Sequence, residues 1–194
     1  MAKLYYRYGT MNSGKSMDIL KIANNYEEQG KKVLIFTSVV DTRYGLGKIT
    51  SRVGFQREAL LMNDQLVEVV ASEKPDCVVV DEAQFATPEQ IDQMAYIVDK
   101  LGIPVIAYGL MTDFQGNLFT GSKRLLELAD RIEEIKTVCW HCNSKARFNT
   151  RFIDDQAVFA GAQLDIGGND KYRPLCRKCY MKEKENSERS SANQ

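Results

Sequence analysis

The chain has 194 residues, of which 44% are hydrophobic and 27% are charged, and its 26 basic side chains balance its 26 acidic ones. This composition is typical of a globular protein with one full-sized domain, and it argues against a strongly basic nucleic-acid binder and an acidic disordered chain. No apolar run reaches the length of a signal-peptide core or a membrane span, so we expect a cytoplasmic protein without a membrane partner.

Short apolar runs alternate with helical patterns over the first half of the chain. Lys3–Tyr8 and Val33–Phe36 have the composition of strands, and Lys15–Gly30 between them has apolar residues at helical spacing. Cys77–Val80 and Val105–Tyr108 are two further buried-strand signals. Because strands that alternate with helices form parallel sheets, the predicted fold class is α/β with helices on both faces.

A helix start signal follows the third of these strands. Thr87 is a capping residue, Pro88 fits the first helical position, and Gln90 completes a capping box. Apolar residues then recur at helical spacing as far as Leu101, and Gly102 ends the pattern. The sequence therefore predicts a helix from Pro88 to about Leu101.

The pattern of the chain divides it into three parts. Residues 1–138 are predicted to form the α/β domain, and residues 139–181 a small β-rich unit in which Arg147–Ile153 begins a hairpin. The polar residues 182–194 are predicted to be a disordered tail. Within the first domain, Arg43–Arg57 has three glycines and no helical stripe, which predicts a mobile loop.

The first strand leads into the sequence GTMNSGKS, which fits G-x-x-x-x-G-K-[ST] in full. Glycines let such a loop turn its backbone N–H groups toward phosphate oxygens, and the helix behind it adds its positive N-terminal end. Lys15 is expected to reach the β- and γ-phosphates, and Ser16 to offer a hydroxyl to Mg²⁺. A chance match is the alternative, but the flanking strand and helix supply the context that the motif needs. The predicted nucleotide-binding residues are Gly9, Thr10, Met11, Asn12, Ser13, Gly14, Lys15 and Ser16.

Two carboxylates follow the strand Cys77–Val80 and can serve the same nucleotide. Asp81 ends that buried strand beside the phosphate loop, where a carboxylate can hold Mg²⁺, usually through water. Glu82 adds a second carboxylate that metal binding does not need, and this carboxylate can act as a general base near the γ-phosphate. Such a base activates water in an ATPase or a substrate hydroxyl in a kinase, and sequence position leaves both possibilities open.

Four of the five cysteines form two C-x-x-C pairs in the terminal unit, namely Cys139 with Cys142 and Cys176 with Cys179. Both spacings are typical of a tetrahedral zinc–thiolate site. Such a site leaves no open coordination position, so we predict a structural Zn²⁺ that anchors both ends of the 33-residue excursion between the pairs. His141 is predicted to be a solvated loop residue. The balanced net charge disfavours a zinc ribbon that binds nucleic acid.

With these motifs, the chain closely resembles the type II thymidine kinases, the zinc-containing enzymes of bacteria and animals. The resemblance runs over Lys3–Tyr180, and its most specific stretch is Gly167–Tyr180. Asp81–Phe85, Asp41–Tyr44 and Gly109–Phe114 are similar to further family segments. The resemblance implies a P-loop NTPase fold of the RecA-like type, with a small zinc-anchored subdomain whose loop covers the nucleoside.

The implied reaction moves the γ-phosphate of ATP, with Mg²⁺, to the 5′-hydroxyl of thymidine and gives dTMP. By similarity Glu82 is the catalytic base, Arg43 lies near the transferring phosphate, and Gln84 belongs with the ATP and Mg²⁺ residues. The implied thymidine pocket contains Met11, Phe85, Leu110, Phe114, Phe119, Gly168 and Tyr172. The resemblance also implies a homotetramer that dTTP, the end product, inhibits, with no nucleic-acid partner. Two positions depart from the family pattern, because Gln115 stands where Arg is common and Thr10 where Pro or Ala is common.

The main alternative is a P-loop ATPase with a zinc-ribbon module that binds nucleic acid. A helicase-like motor needs two such domains, and 194 residues provide one. A GTPase is disfavoured because the sequence has no N-K-x-D segment, which reads guanine. A mononucleotide kinase would have a lid with several phosphate-binding arginines, whereas the insert has Arg147 and Arg151 but no obvious cluster.

Overall fold

The structure is a computed structural model that describes residues 1–40, 47–51, 54–163 and 172–192. The strands are β1 (Leu4–Tyr8), β2 (Val33–Thr37), β3 (Lys48–Thr50), β4 (Gln56–Glu58), β5 (Leu60–Leu61), β6 (Cys77–Val80), β7 (Val105–Gly109), β8 (Arg131–Glu134), β9 (Phe148–Ile153), β10 (Gln156–Val158) and β11 (Tyr172–Leu175). The helices are α1 (Lys15–Glu27), α2 (Leu66–Glu73), α3 (Pro88–Tyr96), α4 (Thr120–Leu128) and α5 (Arg177–Ala192). None of these helices is both long and apolar enough to span a membrane.

A six-stranded sheet with the order β5-β2-β6-β7-β1-β8 forms the centre of the molecule, and every neighbouring pair in it is parallel. The predicted α/β class is therefore confirmed. Because all six strands run the same way, the segments that follow β1, β6 and β7 emerge at one edge of the sheet. Ligands of open α/β sheets bind at this edge, beyond the carboxyl ends of the strands.

Helices cover both faces of this sheet, as predicted. On one face, Ile19 and Ala23 of α1 pack in a buried cluster with Val79 of β6 and Tyr108 of β7. On the other face, α2, α3 and α4 bury their apolar stripes against alternate residues of the same strands. Burial of a single large apolar side chain contributes about 1.5–3 kcal/mol, so these two clusters dominate the stability of the sheet.

The predicted capping box at the start of α3 is confirmed. The Thr87 hydroxyl accepts the Gln90 backbone N–H at 3.2 Å, and the Gln90 side chain accepts the Thr87 N–H at 3.1 Å. The helix continues through a π-helical turn, Ile97–Leu101, and ends at Gly102 with φ of +69°. Glycine adopts this left-handed conformation at no steric cost, which fits a helix stop.

A second sheet lies in the C-terminal part of the chain, with β9 between its antiparallel neighbours β10 and β11. The predicted hairpin is confirmed, since β9 pairs with β10 from Arg151 to Ile153. Phe152, Leu175 and Tyr180 pack with the cysteines into a small buried cluster under this sheet. We call the described residues from Cys139 to Tyr180, which include β9, β10, β11, the four paired cysteines and the start of α5, the cysteine unit.

Two predictions of irregular structure are wrong for the described residues. Within the predicted loop Arg43–Arg57, β3 and β4 form an antiparallel ribbon, while residues 41–46 and 52–53 lie outside the described ranges. The predicted disordered tail is helical as far as Ala192. It has no apolar stripe, but it is rich in good helix formers, with opposite charges at helical spacing such as Lys184 and Glu188.

Candidate active site

The phosphate loop joins β1 to α1 and has the local conformation that its sequence demands. Asn12 and Gly14 have φ of +66° and +89°, which turns the backbone tightly before α1 begins at Lys15. A Cβ on Gly9 would lie 2.7 Å from the Ile135 carbonyl oxygen, so this position has room only for glycine. The Gly9 N–H donates to the Gly109 carbonyl at 3.2 Å and ties the loop to β7.

The interior of the loop carries groups suited to an anion. The Lys15 ammonium donates to the carbonyls of Thr10 at 2.9 Å and Gly9 at 3.3 Å, and so lies over the loop itself. The hydroxyls of Thr10 and Ser13 are buried without a hydrogen-bond partner among the described residues. Buried polar groups of native proteins are normally satisfied, so these two hydroxyls fit a site whose ligand brings acceptors. The loop sits at the N-terminus of α1, where the helix dipole favours negative charge.

The two predicted carboxylates lie directly after β6. Asp81 is 7% exposed, and its N–H donates to the Phe36 carbonyl of β2 at 2.8 Å. Its carboxylate accepts the Glu82 N–H at 2.9 Å. Glu82 has φ of +52°, which costs a residue with a side chain about 1–3 kcal/mol and is typical of functional sites.

Gln84 holds the Glu82 carboxylate. Its side-chain amide donates to that carboxylate, and its side-chain oxygen accepts the Leu110 N–H at 3.0 Å. Gln84 is only 2% exposed, so both hydrogen bonds are protected from water. Similarity groups Gln84 with the ATP and Mg²⁺ residues, whereas these contacts link it to Glu82 and to the end of β7.

Both backbone polar groups of Leu110, which follows β7, are hydrogen-bonded to side chains. Its carbonyl accepts hydrogen bonds from the Tyr6 hydroxyl at 3.0 Å and the Ser122 hydroxyl at 2.6 Å. Burial raises the pKa of Tyr6 far above its usual value, so this hydroxyl stays protonated and remains a donor. Close packing on this side needs glycine at 109, because a Cβ there would lie 2.6 Å from the Gln84 side-chain oxygen.

The described aromatic residues expected at the nucleoside lie on three different segments. Phe85 meets Phe119 edge to face, with ring centroids 5.6 Å apart. Phe114 is 1% exposed, and the Arg151 guanidinium lies 5.6 Å from its ring centroid. Tyr172 begins β11, opposite Arg151 of β9. Arg43 and Gly168, the other residues expected near the substrate, lie outside the described residues.

The turn after β7 is held against the cysteine unit. One oxygen of the buried Asp113 carboxylate accepts the backbone N–H groups of Gln115 and Asn117, both at 2.9 Å. The other oxygen accepts the Gln163 side-chain amide at 2.9 Å. Gln115, one of the two departures from the family pattern, donates its side-chain amide to the Phe159 carbonyl at 3.0 Å. Gln115 therefore makes a direct contact between the two parts of the molecule.

The four paired cysteines come together in space, with all four sulfur atoms within 4.8 Å of one another. Cys142 Sγ lies 3.7 Å from Cys176 Sγ and 3.8 Å from Cys179 Sγ. Thiolates at about 2.3 Å from a tetrahedral zinc ion are about 3.8 Å apart, so the cluster fits structural Zn²⁺. His141 is not part of this group and lies 3.4 Å from the Glu183 carboxylate.

Sequence reasoning missed Asn149. Its side-chain oxygen accepts the backbone N–H of Met11 in the phosphate loop at 2.8 Å, and the residue is 4% exposed. The only sequence signal is a short amide side chain within the alternating run that forms β9, which is unusual for a strand interior.

The phosphate loop, the two carboxylates after β6 and the parallel sheet behind them define a P-loop nucleotide-binding protein. A family model described as "Thymidine kinase" matches residues 2–180. The thymidine kinase of Lactococcus lactis subsp. lactis is 53% identical over 186 residues, which are 94% of this chain and 98% of the relative. The thymidine kinase of Streptococcus gordonii is 51% identical over 186 residues, covering 94% and 97%. The chain belongs to the thymidine kinase family, and it is therefore a phosphotransferase.

A thymidine kinase of Streptococcus pyogenes serotype M3 is similar to the same extent, at 53% identity over 93% of this chain and 98% of the relative. Among solved structures, a crystal structure of Bacteroides Pif1 bound to ssDNA has a TM-score of 0.41 and 16% identity, covering 69% of this chain and 38% of that chain. A likeness at that level carries no argument about function.

Proposed function

We propose that the chain transfers the γ-phosphate of ATP to the 5′-hydroxyl of thymidine and so produces dTMP. The observation that carries this proposal is the common edge of the sheet, from which the phosphate loop, Glu82 and the Leu110 segment all emerge, in a chain of the thymidine kinase family. One nucleotide on the loop and one nucleoside beside Glu82 would then share this edge.

Lys15 and the loop N–H groups bind the phosphates in this proposal. The hydroxyl of Ser16 and the carboxylate of Asp81 are oxygen donors of the kind that Mg²⁺ prefers. When bound, the ion neutralises charge on the phosphates during transfer. Arg43 is proposed to contribute a further positive charge near the transferring phosphate.

Glu82 is proposed to accept the proton of the 5′-hydroxyl, which makes that oxygen a better nucleophile. The hydrogen bond from Gln84 supports this role, because it orients the carboxylate without supplying a competing charge. The attacking oxygen forms a bond to the γ-phosphorus as the bond to the β-phosphate oxygen breaks, and ADP leaves.

The acceptor side of the site is proposed to hold the thymine base between aromatic and apolar side chains, on which a pyrimidine can stack. The residues proposed for this pocket are Met11, Phe85, Leu110, Phe114, Phe119, Gly168 and Tyr172. Residues 1–138 would form the ATP-binding domain and residues 139–181 the zinc-containing subdomain. The cysteine cluster supports this division, because a closed zinc site stabilises a small unit without taking part in chemistry.

Further properties are proposed from the family resemblance. They are a cytoplasmic location, a homotetrameric assembly, inhibition by dTTP, and no nucleic-acid partner. The balanced charge of the chain supports the last of these, since nucleic-acid binders carry a basic surface.

The experiment that tests the function uses ATP labelled on the γ-phosphate, with and without thymidine. We expect labelled dTMP only when thymidine is present, and no product from the Lys15→Ala variant, whose unfolding temperature serves as the control for folding. Phosphate release that DNA stimulates, with no nucleoside product, would contradict the proposal and favour an ATPase motor.

A further inference from the structure

The side chain of Asn149 connects the cysteine unit to the phosphate loop. The Asn149 side-chain oxygen accepts the Met11 N–H at 2.8 Å, although 138 residues separate the two in sequence. Asn149 is 4% exposed, so water does not compete freely for this hydrogen bond. The contact orients the Asn149 amide, because only its oxygen can face an N–H donor.

The strand that carries Asn149 is fixed on both sides. β9 pairs with β10 along one edge and with β11 along the other, where Asn149 lies opposite Pro174. Side chains alternate along a strand, so Phe148, Thr150 and Phe152 share one face and Asn149 and Arg151 share the other. The first face contributes Phe152 to the cluster around the cysteines, while the second meets Met11 and Phe114 of the α/β domain.

The cysteine unit is also held in place beside the loop by separate contacts. The Tyr180 hydroxyl donates to the Phe114 carbonyl at 2.9 Å, and the Gln115 amide donates to the Phe159 carbonyl at 3.0 Å. Asn149 therefore extends from a strand whose position does not depend on the Met11 bond alone.

The N–H that Asn149 accepts belongs to the third residue of the loop motif. Since this N–H is directed at β9, it is not one of the groups that face the phosphates. Its hydrogen bond instead fixes the outer side of the loop, next to Asn12 and three residues before Gly14, both of which have left-handed backbone conformations. A loop that is already held in its binding conformation is preorganised. Preorganisation raises the affinity for phosphate, because less conformational entropy is lost on binding.

We propose that Asn149 is a positioning residue, which sets the conformation of the phosphate loop from the cysteine unit. The proposal rests on the nucleotide site but not on thymidine as the acceptor. It makes nucleotide affinity, as well as nucleoside affinity, dependent on the unit that the four cysteines hold together.

The test compares Asn149→Leu, which has nearly the same shape but no acceptor, with the unchanged full-length protein. ADP binding is measured by titration calorimetry, and backbone hydrogen exchange is measured at Met11 in the absence of nucleotide. We expect ADP to bind about tenfold more weakly and the Met11 amide to exchange at least tenfold faster, because the amide loses its acceptor. Asn149→Asp keeps an oxygen in the same place and is expected to retain the protection of Met11.

Thr150→Val is the matched control. Thr150 is fully buried on the opposite face of β9, and its hydroxyl has no hydrogen-bond partner in the described part of the chain. We expect this variant to leave both ADP affinity and Met11 exchange unchanged.

ADP affinity within twofold of the unchanged protein, together with normal protection of Met11 in Asn149→Leu, would overturn the proposal. Loss of zinc from both Asn149→Leu and Asn149→Asp would overturn it too, since the residue would then serve the folding of its own unit. Failure of thymidine phosphorylation in the unchanged protein would contradict the proposed function, while the ADP and exchange measurements would still decide the role of Asn149.

Discussion

Gln84 joins the carboxylate of Glu82 to the backbone of Leu110, by donating to the first and accepting from the second at 3.0 Å. The contact connects the end of β6 with the end of β7 through a side chain that is almost completely buried. The proposed base is thus oriented by the sheet, although its own backbone is in the left-handed region. This arrangement separates the proposed role of Glu82 in proton transfer from the orientation of its carboxylate by Gln84.

Glu82→Gln should lower kcat by at least about two orders of magnitude, because a positioned base contributes about 10²–10⁴-fold. The new amide keeps an oxygen that can accept from Gln84, so the local geometry should persist and ADP affinity should change little. Steady-state kinetics with ATP and thymidine measures the effect. Asp81→Asn serves as the comparison, since it should weaken ATP binding in a way that added Mg²⁺ partly restores. A kcat for Glu82→Gln within a few-fold of the unchanged protein would exclude the base role.

Gln84→Met should lower kcat by about tenfold, which corresponds to about 1.4 kcal/mol in the barrier. Methionine keeps the length of the side chain but loses both hydrogen bonds, so the carboxylate remains and only its orientation is lost. The affinity for ADP should not change. Gln29→Met, at an exposed site after α1, is the control and should have normal kcat. Equal kcat for the two variants would show that Gln84 does not orient the base.

Elemental analysis should find about one zinc per chain, as expected for a closed four-thiolate site. Thiol reagents should not label Cys77 in the folded protein, because it is fully buried in β6 and burial raises the pKa of its thiol to about 11. We expect four reactive thiols after chelation under native conditions and five after denaturation. A metal-free protein with full activity would contradict a structural zinc.

Asp18→Asn should destabilise the protein near neutral pH but not in acid. Burial alone would raise the pKa of Asp18, but hydrogen bonds from Lys21 and Tyr108 and the charge of Arg7 hold it below its usual value. A carboxyl whose pKa is lowered by folding stabilises the protein above its unfolded pKa, about 3.9, and loses that contribution as the pH falls through its folded pKa. Because Asp18 is partly exposed to water, which screens its ion pairs, the contribution should be about 1 kcal/mol.

Urea unfolding at pH 7 and below pH 4 measures this difference. The difference in free energy of unfolding between the unchanged protein and Asp18→Asn should be largest at pH 7 and should shrink in acid. Asp99→Asn, at an exposed site, is the control and should show little effect at either pH. A gap that stays constant with pH would mean that the Asp18 charge does not contribute.

The sequence predicted those parts of the molecule whose signals are local. The phosphate loop, the capping box at Thr87 and the paired cysteines each depend on residues within a few positions of one another. Asn149 could not be found in this way, because its role exists only when β9 lies beside Met11. The helix that replaces the predicted tail was missed for a different reason, since charge spacing favours it without any apolar stripe to indicate it.

The contacts of the turn after β7 have a consequence for the order of assembly. Asp113, Phe114 and Gln115 are each held by a residue that lies later in the chain, in the cysteine unit. Cys176 and Cys179 leave the ribosome after every strand of the parallel sheet, so the sheet can form before the last two predicted zinc ligands are made. If the four cysteines hold zinc, a cell short of zinc would then accumulate chains whose sheet is formed but whose phosphate loop lacks its Asn149 contact and whose turn after β7 lacks its partners. The capacity of the cell for this phosphate transfer would follow its zinc supply.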